Sequence, residues 1–144
     1  MTAHGRSRHD YLLASVLAIA AALLTLSAGA CSSDAGVPGA AYVDITPQEL
    51  AQMLENKDFV LINTHIPYEG EIAQTDLFLP YDQAAQQLDR LPADKGAKIV
   101  VYCRTDRMSR ISAEEWAKAG YTNLYNLAGG FVAWEAAGYE LLQK

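Results

Sequence analysis

Two short apolar runs stand out along the chain, FVLI at residues 59–62 and IVVY at residues 99–102. Neither alternates with polar residues, and both are bounded by turn-forming or polar positions. Each therefore reads as a strand buried on both faces, the pattern of a parallel sheet. Ahead of the first run, residues 42–44 predict a short strand and Thr46-Pro47-Gln48-Glu49 a helix start. Thr46 suits the N-cap, Pro47 the first helical position, and Glu49 closes a capping box, with Leu50, Met53 and Leu54 as the apolar face. After the first run, residues 66–76 contain Pro67 and Gly70 and no period, so a loop is expected. Residues 78–81 read as a very short strand. Asp82 is placed to cap a helix through Leu91, with Ala85, Leu88 and Leu91 on one side. Beyond the second run, a helix is expected from about Ser109 to Ala119, with Gly120 as its C′ residue; Ser112 and Glu115 form a rival capping box that leaves its start open. Residues 122–127 read as a strand with Leu124 turned inward, broken by Gly129-Gly130. Residues 131–137 form a last short helix with Trp134 on its apolar side, closed by Gly138. Strands alternating with helices predict an α/β domain, a central parallel sheet with helices on both faces, without internal repeat or second domain.

The N-terminal residues follow another pattern. Arg6 and Arg8 make a basic n-region, residues 12–26 are apolar and too short for a comfortable membrane span, and Ser27-Ala28-Gly29-Ala30 leads to Cys31. This resembles a bacterial lipoprotein signal, in which the cysteine becomes the lipidated first residue after cleavage. An ordinary secretory signal cut nearby and an uncleaved anchor are the alternatives, and all three place the rest outside the cytoplasm. Residues 1–30 are thus expected to be the signal peptide, residues 31–41 a small, polar, flexible tether and residues 42–144 the folded domain. Lipidation at Cys31 would anchor the chain to a cell membrane, the domain facing the periplasm or exterior.

Charge narrows the partners. Of 11 basic and 17 acidic residues, two basic and one acidic precede Cys31, which leaves a net charge of −7 on the remainder. Such a surface argues against nucleic acid and against charge-driven docking on anionic lipid. Two cysteines and three histidines, two of the latter in the leader, supply no metal-ligand cluster. With Cys31 assigned to lipid, Cys103 has no partner for an internal disulfide, and an unpaired cysteine in an exported protein is either buried and inert or kept for chemistry.

Cys103 stands where the second apolar strand ends and the next helix approaches. Backbone N–H groups and the positive end of a helix dipole converge at such a turn and favour an anion, a thiolate included. Arg104, Arg107 and Arg110 add positive charge in an otherwise acidic chain. The plainer reading is a buried structural cysteine beside surface arginines.

Several stretches together resemble a single rhodanese homology domain over roughly residues 43–141. Val101-Tyr102-Cys103-Arg104 with Ser109-Arg110 is similar to the family's active-site strand, loop and helix. Residues 127–134, LAGGFVAW, with Ala137-Gly138 are similar to its C-terminal signature, and Thr46 to Leu50 with residues 59–63 to its opening helix and strand. The resemblance implies a three-layer fold and sulfur transfer. Cys103 would take sulfane sulfur from a small sulfur-containing donor as a persulfide, cradled by the loop Arg104, Thr105, Asp106, Arg107, Met108 and Ser109. A thiol or other nucleophilic acceptor would then remove the outer sulfur, with no metal and no cofactor. Six residues from Cys103 to Met108 match the short loop associated with sulfur substrates rather than the longer phosphatase loop. Where the family loop runs close to C-R-x-G-x-R-[ST], this chain has Asp106 for the glycine and Met108 for the second basic residue, so thiosulfate is a doubtful donor. The family's first strand commonly ends in Asp-x-Arg; here Asn63-Thr64-His65 stand, either as a different supporting hydrogen-bond set or with His65 as a proton carrier. Glu69 and Glu71 either rim the same pocket or form a solvated acidic loop, the second being preferred, and Phe131 and Trp134 are expected to be core. The competing reading is a catalytically silent binding module at the membrane surface, with an unnamed protein partner.

Overall fold

The computed structural model describes residues 41–143. The expected leader, the lipidation site Cys31 and the tether up to residue 40 lie outside the described residues.

Five strands form one sheet: β1 (Val43–Ile45), β2 (Val60–Asn63), β4 (Leu77–Phe78), β5 (Ile99–Tyr102) and β6 (Leu124–Leu127), in the order β1-β6-β5-β2-β4. Every neighbouring pair runs parallel, with Leu61 opposite Val100 and Val101 opposite Asn126. The two apolar runs are the two central strands, and because side chains alternate across a strand, each feeds both faces. Leu61, Val100, Tyr102 and Leu127 meet Leu50 of α1 (Pro47–Glu55) and Phe131 and Trp134 of α3 (Gly130–Ala136). Ile62, Ile99, Val101 and Leu124 meet Ala113 and Trp116 of α2 (Arg107–Lys118) on the other face. The result is the expected three-layer α/β arrangement.

The start of α1 follows its sequence closely. Glu49 N–H donates to Thr46 Oγ1 at 3.2 Å, and the Thr46 N–H donates back to Glu49 Oε2 at 2.7 Å. The Thr46 N–H and the Thr46 hydroxyl, which donates to the same Oε2 at 2.8 Å, hold the Glu49 carboxyl below its ordinary value.

Two expectations fail. Residues 82–91 are not a helix but two 3-10 turns, Tyr81–Gln83 and Leu88–Arg90. Trp116 Nε1 donates to the Ala84 carbonyl at 3.1 Å, occupying an acceptor that an α-helix would use four residues on. Ala84 and Leu91, not Ala85, are buried against the α2 face. Residues 66–76 are not wholly loop: β3 (Glu71–Ile72) pairs antiparallel with β7 (Leu141–Leu142). Ile72 is fully buried, and its N–H donates at 3.0 Å to the Tyr102 hydroxyl, itself 2.8 Å from Thr75 Oγ1. Burial pushes the Tyr102 phenol well above its ordinary range.

Candidate active site

The site lies at the carboxyl end of the sheet, where β5 delivers Cys103. In open parallel sheets ligands collect at this end, because the loops there are free of the strand ladder. Cys103 is 1% exposed and is the free cysteine among the described residues. The turn after it is shorter than the sequence predicts: α2 begins at Arg107, with Asp106 as its N-cap, two residues ahead of Ser109. Arg107 and Met108 therefore sit on the first helical turn, and Ser109 is buried beneath it. Ser109 Oγ lies 3.4 Å from Cys103 Sγ and 3.0 Å from the Asp106 carbonyl, so its one proton serves either the sulfur or the loop.

The N-terminus of α3 grips this turn from behind. Phe131 N–H donates to the Cys103 carbonyl at 2.9 Å and Val132 N–H to the Arg104 carbonyl at 3.1 Å. Gly130, at φ +57°, allows that approach: a Cβ there would come within 2.3 Å of the Cys103 carbonyl oxygen. Asp106 completes the grip, its Oδ1 accepting from Gly129 N–H at 3.0 Å and from Asn126 Nδ2 at 3.3 Å. The carboxylate that stands where the family has glycine thus binds backbone behind the loop and does not line the cavity in front of it.

That cavity, about 190 Å³, is lined by His65, Cys103, Arg104, Thr105, Arg107 and Met108. Of the predicted loop residues, Asp106 and Ser109 do not line it. Among the described residues, the N–H groups of Arg104, Thr105 and Asp106 have no backbone acceptor, and the first turn of α2 adds further unpaired amides. Such a nest, at the positive end of a helix, suits an anion. Of the three arginines in this stretch, Arg110 points elsewhere, its Nη2 2.9 Å from Asp44 Oδ2.

Asn63 and His65 divide their roles. Asn63 is buried and structural: its Oδ1 accepts from His65 N–H at 3.0 Å and its Nδ2 donates to the Gly70 carbonyl at 3.0 Å. His65 is 6% exposed and reaches the cavity, with Nε2 3.1 Å from Glu69 Oε2. Glu69 also accepts from Arg104 Nη1 at 3.1 and 3.2 Å. The solvated acidic loop expected here does not form: Glu69 bridges two cavity residues, and Glu71 is buried within hydrogen-bond reach of the Tyr68 hydroxyl. The pocket-rim reading of Glu69 ranked second in the sequence because its link to His65 depends on an irregular turn, which no periodicity reports. Phe131 and Trp134 are core, as expected.

A parallel five-stranded sheet between two helical layers, with a buried cysteine at its carboxyl end, defines an α/β protein of the three-layer class. The Rhodanese-like domain family matches residues 46–137, and the chain belongs to that family. It is 34% identical over 95 residues to the probable adenylyltransferase/sulfurtransferase MoeZ of Mycobacterium tuberculosis, covering 62% of this chain and 24% of that one. The chain thus spans about a quarter of MoeZ. It is 29% identical over 104 residues to a protein of Allochromatium vinosum named sulfurtransferase, covering 69% of this chain and 94% of that one. The crystal structure of a rhodanese-related protein from Thermoplasma volcanium superposes with a TM-score of 0.62 at 21% identity, over 72% of this chain and all of that one, a likeness of fold. The relatives named as sulfurtransferases make this a sulfurtransferase and sulfur-carrier family.

Proposed function

We propose that the chain is an exported, lipid-anchored sulfurtransferase or sulfur carrier with Cys103 as nucleophile. The observation that carries this reading is Cys103 itself, on the wall of a small cavity beside a loop whose amides have no backbone acceptor among the described residues. The Cys103 thiolate attacks the sulfane sulfur of a donor. The donor's S–S bond breaks, its electron pair leaves with the departing group, and the sulfur stays on Cys103 as a persulfide anion. The amides and the α2 dipole stabilise that anion. A nucleophilic acceptor then bonds to the outer sulfur, and Cys103 recovers its thiolate. Burial of Cys103 restricts donors to small molecules or extended chain ends. Met108 supplies an apolar wall where a second cation would favour a dianion, so persulfides and polysulfides suit the cavity better than thiosulfate.

Incubating the reduced domain with polysulfide, a low-molecular-weight persulfide or thiosulfate should add about 32 Da, one sulfur atom, to Cys103. No adduct with any of the three overturns the reading in favour of a silent binding module, which Met108 alone supports. For location, the support is the leader sequence and Cys31. In cells, Cys31→Ser should shift the protein from the membrane to the soluble fraction; a wild-type protein that is itself soluble refutes the anchor.

A further inference from the structure

The imidazole of His65 is held on two sides, its Nε2 3.1 Å from Glu69 Oε2 and its ring packed edge-on against Phe131 at 5.4 Å and 82°, while the backbone N–H of the residue donates to Asn63 Oδ1. Nδ1 is buried and, among the described residues, has no hydrogen-bond partner. A buried polar nitrogen without a partner is costly and rare, and calls for a reason. The Glu69 carboxylate only accepts, so Nε2 carries the proton in the neutral ring and Nδ1 carries the lone pair. The ring that holds this lone pair lines the same cavity as Cys103.

We infer that His65 is the base that activates the sulfur acceptor, and that the acceptor is a protonated thiol rather than a ready-made anion. The inference rests on the sulfur-transfer reading above. Charge in the cavity agrees with it. Glu69 takes up Arg104, which leaves Arg107, among the described residues, as the cavity cation without a carboxylate partner. An anionic acceptor would meet the persulfide anion on Cys103, whereas a neutral thiol meets no such repulsion.

The step balances without an oxidant or reductant. The acceptor's S–H bond breaks and its proton goes to Nδ1. The new thiolate bonds to the outer sulfur of the Cys103 persulfide. The S–S bond to Cys103 breaks, and its electron pair returns to Cys103 Sγ. The acceptor leaves as a persulfide, and the imidazolium gives its proton to that product or to water. Glu69 is a positioning residue here, fixing the tautomer and orientation of the ring.

The test loads Cys103 with sulfane sulfur and measures, at one fixed pH, the single-turnover rate of its removal by ethanethiol and by 2,2,2-trifluoroethanethiol. The two are similar in size, but the second is the more acidic and depends less on a base. His65→Gln should slow ethanethiol about tenfold or more and trifluoroethanethiol less than about threefold. Glu69→Gln, at the rim where folding is little affected, should shift the ratio of the two rates in the same direction. If both thiols slow by the same factor, or neither slows, in both variants, His65 is structural and the inference falls. If wild-type Cys103 cannot be loaded at all, the sulfur-transfer reading fails first, a result separate from the thiol comparison.

Discussion

Behind the Cys103 turn, toward α3, the contacts are mostly main-chain: Phe131 to the Cys103 carbonyl, Val132 to the Arg104 carbonyl, and Gly129 to the Asp106 carboxylate. In front, toward the cavity, the wall is made of the side chains of His65, Arg104, Thr105, Arg107 and Met108. The two sides answer to different constraints. Backbone contacts set where the sulfur sits and tolerate few changes, because they depend on φ values and close approach rather than on side-chain identity. The front accepts different side chains without moving Cys103, and so decides what enters. Asp106 and Met108, two residues apart and both departures from the family loop, fall on opposite sides of this divide.

The strongest way to break the comparison is to disturb the back. Gly130→Ala would place a Cβ 2.3 Å from the Cys103 carbonyl oxygen and force alanine to φ +57°. Steric overlap with backbone and the left-handed conformation together should cost about 2–4 kcal/mol. Thermal unfolding should occur roughly 10–20 °C lower, and sulfur loading of Cys103 should fall with it. An unchanged melting temperature would mean that the grip of α3 does not position the turn.

Asp106→Gly comes next, and it sets family pattern against local structure. It restores the usual glycine but removes the acceptor for Gly129 N–H and Asn126 Nδ2. Asn126 Nδ2 keeps its bond to Asp44 Oδ1, so leaving the Gly129 N–H unmatched should cost about 1–2 kcal/mol, measured as a lower denaturation midpoint with unchanged slope. A variant as stable as the parent, or more stable, would show that Asp106 is a passenger and that the back is held by main-chain bonds alone.

The fold and the site were legible in the sequence to different depths. The central strands, the capping box at Thr46 and the Gly-Gly break could be read because each rests on a local rule: an apolar run, a three-residue spacing, a glycine pair. The helix expected over residues 82–91 was misread because Trp116, distant in sequence, takes the Ala84 carbonyl. β3 and β7 were invisible because two-residue strands have no measurable period. At the site, Cys103 and the family loop were found by pattern. The direction of the Asp106 carboxylate was not, since it depends on where Gly129 and Asn126 arrive from elsewhere in the chain. The pocket-rim reading of Glu69 ranked second for the same reason. Chain-local signals singled out Cys103; the partners that orient its surroundings came from the fold.

The front supplies the smallest effect and the finest test. Met108 lines the cavity on the first turn of α2, where a guanidinium would face both Cys103 and the amide nest. Met108→Arg should leave stability nearly unchanged, because Met108 is only partly buried and belongs to neither hydrophobic cluster. It should improve loading from thiosulfate by about twofold to fivefold, the range expected of one partly exposed charge. That gain should shrink as salt rises, since screening weakens an exposed charge, and loading from a neutral organic trisulfide should not improve. Equal improvement with both donors would point to a change in Cys103 itself, transmitted through the turn, and would dissolve the distinction between a fixed back and a selecting front. Improvement confined to thiosulfate would locate donor choice in a single side chain that the main-chain grip on Cys103 does not touch.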